Sequence, residues 1–362
     1  MKTLLYKSSL WTFMLIPLFL SANMDKWKGR YTKEKTIKKE FKVNSNALFK
    51  VKNSYGNLNI TSWNEDRVVL EVHIKTNGNN EEKVQERLNE IDVDFEHNPN
   101  LVFARTIFGD RNNRWGWWGG RKRVSVQVNY TIKLPVKNNI NLNNDYGNIY
   151  LDRIDGHAKI NCDYGKIDIG ELRGRNNELR FDYTSRSSFG FVNSAEIIAD
   201  YSGFTIEKAG NLAIKADYTN AVINKMEDLE YSSDYGSLEV HELHNADGVG
   251  DYIGVKLGTI HGNVNITSDY GSLKIEEMAQ DAGDITIKSD YTGIKIGYNP
   301  QYHFDFEIST DYAGVSGKDA FEINVSKEKS NERYYKGYYG SENSGNMVSI
   351  TSDYGGITFN QN

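Results

Sequence analysis

The sequence predicts an all-β chain: a single-domain right-handed parallel β-solenoid (β-helix) of about 18 residues per coil, with one short N-terminal helix. Three observations carry this. Asp-Tyr pairs start at 145, 163, 182, 200, 217, 234, 251, 269, 290, 311 and 353, after a Ser54-Tyr55-Gly56 variant, in steps of 17 to 21 residues and a last step of 42, twice 21. Counted from each Tyr, positions −4, −2, +3 and +5 form an inward template, as in Ile160, Cys162, Ile167 and Ile169, or Ile266, Ser268, Leu273 and Ile275. That period of 2 is a strand signal, and its parity shifts at Tyr-Gly, so a corner lies there. Composition agrees: 32 glycines and 23 tyrosines against four prolines suit a turn-rich β protein.

The −2 row is small (Asn144, Cys162, Ala199, Ala216, Ser233, Gly250 and so on, with Phe181 the exception). Tyr shares its parity, so small neighbours leave room for stacked rings about 4.8 Å apart. The template weakens around Tyr183 and Tyr252, which predicts irregular coils at both.

In chain order, residues 1–23 read as a signal peptide: Lys2 and Lys7, then an apolar run from Leu10 to Leu20, too short to span a bilayer. Residues 24–40 form a basic leader, read as a solvated leader or edge strand, with contact to an acidic surface as the competing reading. Residues 41–135 make an N-terminal β region, in which Phe49, Val51, Tyr55, Leu58 and Ile60 match the template. Within it, Val84, Leu88 and Ile91 space a helix over 80–91, expected to cover an open end of the solenoid, and 108–123 form a Trp/Arg loop. The repeat solenoid occupies 136–362, with an insertion at 317–346 expected to hide one degenerate coil. A last template (Val348, Ile350, Tyr354, Ile357, Phe359) ends the chain. No C-terminal cap is legible, so the final edge is expected to be free to pair.

The net charge of −6 gives no case for nucleic-acid binding. A single cysteine, Cys162, excludes an internal disulfide and sits in the inward row as a core residue.

The run INLNNDYGNIYLDRIDGHAKINCDYGKIDIGEL resembles the bacterial "putative adhesin" family of β-solenoids (the toastrack-type domain), and Phe49 to Val72 is similar to that family's opening. The resemblance covers about residues 40–360. It implies export and attachment or sensing at the bacterial envelope, and it implies no reaction. The Asp-Tyr before nearly every corner departs from the simpler corners expected of that family.

The corner residues Asp145, Tyr146, Asp163, Tyr164, Asp234, Tyr235, Asp269 and Tyr270 read as structural. Each Asp is expected to accept the N–H two residues on, as an Asx-turn. A Ca²⁺ ladder is the competing reading, disfavoured because calcium β-rolls use a glycine-rich nonapeptide absent here. Arg114, Trp115, Trp117, Trp118 and Arg121 are the candidate partner-binding residues, because clustered Trp and Arg make binding hot spots and interfacial membrane contacts. The plainer alternative is a hairpin tip folded on the solenoid. His241 and His261 lie about one coil apart, but exposed loop histidines without a third ligand are commoner than a metal site. No nucleophile elbow, phosphate loop or zinc-protease motif occurs. The expectation is therefore an exported, non-catalytic, cofactor-free protein of the periplasm, outer surface or extracellular space. It would bind an envelope or extracellular polysaccharide or protein. Envelope-stress sensing and a carbohydrate-active β-helix enzyme are the alternatives.

Overall fold

The computed structural model describes residues 28–109 and 124–362. The signal-peptide reading at 1–23, the first residues of the basic leader and residues 110–123 of the Trp/Arg loop read at 108–123 lie outside the described residues. The rest is all-β, one hydrogen-bonded network of 29 strands with a single helix.

Two parallel ladders run through the molecule, and each Asp-Tyr corner joins a strand of the first to a strand of the second. In the first ladder Leu48–Ser54 pairs with Asn139–Asp145, which pairs with Ala158–Asp163 and so on, Asp facing Asp in register. In the second, Leu58–Trp63 pairs with Ile149–Ile154, then Ile167–Leu172. The rung at 48–63 therefore stacks directly on the rung at 139–154, and the chain between them is an excursion. Template residues point inward: Phe49, Val51, Leu58, Ile60, Ile160, Cys162, Ile167 and Ile169 are all buried. Burial pushes the Cys162 thiol up to about 12, with Asp163 and Asp145 adding to the shift. It is an inert core group.

The excursion builds the N-terminal end. Leu101–Phe108 lies parallel under the first ladder and is covered antiparallel by Ile91–Asn98. Ser125–Pro135 lies parallel under the second, followed antiparallel by Arg67–Gly78 and then Tyr31–Lys42. The basic leader thus ends in an edge strand, where Lys side chains discourage pairing with another chain. The helix spans Glu81–Asn89, with the Asn80 side chain accepting from Lys83 N–H at 2.9 Å. It buries Val84 and Leu88 against the Arg67–Gly78 and Tyr31–Lys42 strands.

The C-terminal end corrects two expectations. Residues 317–346 contain no hidden coil. They form an antiparallel hairpin, Glu322–Lys329 with Glu332–Tyr339, laid along Phe304–Asp311. Nor is the last template the last rung. Met347–Asp353 is inserted between Ile285–Asp290 and Phe304–Asp311, parallel to both. The last template is therefore paired on both sides, and the outer strand at this end is Glu322–Lys329, which among the described residues pairs only with Glu332–Tyr339. An aromatic plug closes the core at this end: Tyr298, Phe304, Phe306, Phe321, Tyr339 and Phe359 meet at ring separations of 4.9–6.1 Å. Period alone could not show this, because a rung's register says nothing of which neighbour it joins.

Of the two coils expected to be irregular, one is. After Tyr183 one extra residue intervenes, and Arg186 takes a left-handed φ of 58°. At Tyr252 the ladder continues unbroken. There Gly248 lies flat under the ring of the inward Tyr231, where a Cβ would meet that ring at 1.9 Å. The missing side chain is space for a neighbour's ring.

Candidate binding surface

Twelve tyrosines occupy the corner, and every one of them is in the left-handed region, with φ between 49° and 65°. For an L-residue with a full side chain this costs roughly 1–2 kcal/mol, and Gly or Asn would fit more cheaply. The conformation turns each ring outward, which corrects the inward placement that parity suggested. The rings are 42–55% exposed.

They stack in one file. From Tyr55 through Tyr146, Tyr164 and onward to Tyr291, Tyr354 and Tyr312, successive centroids lie 4.6–5.4 Å apart with planes within 10°. The file is roughly 50 Å long at the strand spacing. Phe108, the last residue of its strand, meets Tyr55 edge-on at 5.8 Å and ends the column. Each ring covers its neighbour's face and leaves its edge and hydroxyl to solvent. Desolvation raises the phenol pKa of Tyr164, Tyr235, Tyr270 and Tyr354, with neighbouring phenols and carboxylates adding to it.

Close packing of the corner backbones explains the residue after Tyr. A Cβ on Gly147 would stand 1.9 Å from the Gly56 carbonyl oxygen, and one on Gly165 would stand 2.1 Å from that of Gly147. At two corners where Thr replaces Gly, its hydroxyl finds a carbonyl: Thr219 Oγ1 donates to Ala199 at 2.8 Å and Thr292 Oγ1 to Ser268 at 2.8 Å.

The Asp column runs alongside, and its bonding corrects the Asx-turn expectation. The carboxylates reach along the axis. Asp182, Asp200, Asp217, Asp234 and Asp269 each accept the backbone N–H of the next rung's Asp at 2.9–3.2 Å. They tie rung to rung at the place where the strand ends. Asp145 and Asp163 face one another in the same register. Among the described residues no group of three or more acidic, His or Cys side chains could hold a metal ion. His261 instead contacts Asp281 at 2.8 Å, and His241 contacts Glu239 at 3.3 Å.

Desolvation, then the charges of Asp234 and Asp269, raise the Asp251 pKa. A carboxyl with a raised folded pKa binds its proton more tightly folded than unfolded, so stability falls as pH rises through that value. Asp251→Asn should therefore raise Tm at neutral pH. The gain should shrink as pH falls through the raised value and as salt is added. A thermal scan over pH checks this, and a pH-independent difference would reject repulsion along the column.

Of the residues singled out from sequence, the structure brings the eight corner residues into these two columns. Arg114, Trp115, Trp117, Trp118 and Arg121 lie outside the described residues. Sequence reasoning missed that the tyrosines form a surface. The run of Tyr at a position that demands positive φ was the available signal.

No family model and no curated protein matches the chain. Among solved structures it is similar to a "putative adhesin" from Parabacteroides merdae (10% identity over 90% of this chain and 96% of that one, TM-score 0.37). One from Parabacteroides distasonis gives 9% identity over 92% and 98%, with a TM-score of 0.33. A "putative cell adhesion protein" from Clostridium sporogenes gives 13% identity over 91% and 100%, with a TM-score of 0.19. The likeness is distant, and function rests on the site alone. No helix among the described residues is long and apolar enough to cross a membrane.

Proposed function

We propose that the chain is an exported, non-catalytic, adhesin-like protein, a right-handed parallel β-solenoid that binds an envelope or extracellular protein or polysaccharide. The tyrosine column carries the reading. A stacked pair contributes about 0.5–1.5 kcal/mol. That at most offsets the strain of one left-handed corner, roughly 1–2 kcal/mol. Stability alone would favour Asn or Gly at twelve such corners, so an exposed aromatic file is kept for what it touches. Interfaces favour Tyr because it offers a rigid apolar body with a polar tip. The Trp/Arg segment, with Arg114, Trp115, Trp117, Trp118 and Arg121, is the second proposed contact; its neighbour Phe108 abuts the end of the same column. The repetition of one Asp at each corner suits architecture better than catalysis, which needs one distinguished group.

Replacing Tyr201, Tyr218, Tyr235 and Tyr252 together by Asn keeps a residue that tolerates the left-handed corner and removes the rings. The circular dichroism of the fold should be unchanged, while binding to envelope extract should fall at least tenfold. Full retention of binding would reject the column as the contact surface.

A further inference from the structure

On the first ladder, away from the tyrosines, a groove of about 1020 Å³ crosses six consecutive rungs. The register column Leu212, Leu229 and Ala246 lies beneath it, turned into the core and only 2% exposed. The groove's wall is the outward column Glu178, Glu196, Ala213, Glu230, Asp247 and Asn265, aligned by the same pairing. Ala213 sits in the middle of that wall and leaves a hollow between two glutamates. The strand starts add amides and hydroxyls, among them Asn176, Asn211 and Asn245. Lys159 and Lys215 neutralise Glu178 and Glu196, the latter pair at 2.8 Å. The Asn265 amide donates to Asp247 at 2.6 Å. Asn211 and Glu230 also line the groove; among the described residues neither side chain makes a hydrogen bond, and Glu230 lies within the field of Lys215.

We infer that this groove binds an uncharged, extended β-linked oligosaccharide, about one pyranose ring to a rung. Amides and carboxylates in rows suit the donor and acceptor hydroxyls of a sugar. The wall's acids disfavour an anionic polymer. An extended peptide presents side chains on one face every ~6.6 Å, out of step with rungs ~4.8 Å apart. A pyranose ring advances by about one rung. The inference deepens the binding reading above and rests on it, but it assigns the polymer to a different face.

Calorimetry of the whole chain with cello-, chito- and manno-oligosaccharides of two to six units tests it, with polygalacturonate and polylysine as charged controls. At least one neutral series should bind, with affinity rising with length. Ala213→Trp should fill the hollow and weaken binding at least tenfold. Asn211→Ala, which removes no contact within the protein, should weaken it severalfold. The four Tyr→Asn changes should leave it unaltered. Binding unaffected by both groove variants, binding of only a polyanion or polycation, or no glycan bound at all would each overturn the groove assignment. Such failures leave attachment through the tyrosines intact. Loss of attachment only in the Tyr variants would sink the groove's role alone, and loss only in the groove variants would sink the column's.

Discussion

Truncation after Asn346 should unravel far more than the sixteen residues it removes. The lost segment is the rung that pairs with Ile285–Asp290 on one side and Phe304–Asp311 on the other. Tyr291 N–H donates to Asp353 O at 2.9 Å, and Tyr354 N–H to Asp311 O at 2.9 Å. Without that rung, Phe304–Asp311 has no parallel neighbour. The hairpin on it, with its share of the aromatic plug, comes away too. Burial of Val348, Ile350, Ile357 and Phe359 is lost directly, at about 1.5–3 kcal/mol for each side chain. Trypsin should then cut between 299 and 346 at a rate far above that of the intact chain. The bared edge of Ile285–Asp290 should drive concentration-dependent association. A truncated protein that stays monomeric and resists cleavage in 304–339 would contradict the inserted order.

That order marks where the sequence stops being legible. Strand period, corner position and inward residues could all be read off, because each is a local property set by side-chain alternation and by the backbone demands of one turn. Ile160 and Cys162 declare their face two residues at a time. That Ile350 sits between Ile287 and Ile308 is not local: all three fit the same template, and the chain's return through Glu332–Tyr339 decides it. The C-terminal cap was hidden for the same reason, its aromatic residues being scattered from Tyr298 to Phe359.

The columns were half legible. Spacing showed that the tyrosines align, but parity placed them inside. Parity fails across a residue with positive φ, which reverses the side-chain direction that strand alternation would give. The Asp bonding was misjudged by a similar step. An Asx-turn is what a lone Asp at a corner does, but a stack offers another partner, the amide of the adjoining rung. The groove had no sequence signature, because Ala213, Asn211 and Glu230 are ordinary outward residues. Only the register shows that small and polar side chains coincide over consecutive rungs.

Glycines near the corner separate two physical effects that sequence alone merges. Gly147→Ala should be among the most damaging single changes in the ladders. Its Cβ would lie 1.9 Å from Gly56 O and 2.5 Å from Gly56 C, atoms of the adjoining rung's backbone that cannot swing aside as a side chain would. The rungs must part, and the cost should reach the top of the roughly 1–3 kcal/mol range for overpacking, or exceed it. Gly293→Ala is the control. It sits two residues after Tyr291 and faces outward, with nothing within 4 Å of the added atom. Its φ is outside the left-handed region, so Ala should be neutral or stabilise by about 0.4–1 kcal/mol through the unfolded chain. Amide exchange around Tyr55 and Tyr146 should quicken strongly in the first variant and be unchanged in the second. Equal effects from the two would mean that corner glycines serve flexibility, and that the tight contact between rungs does not set the Tyr-Gly pair.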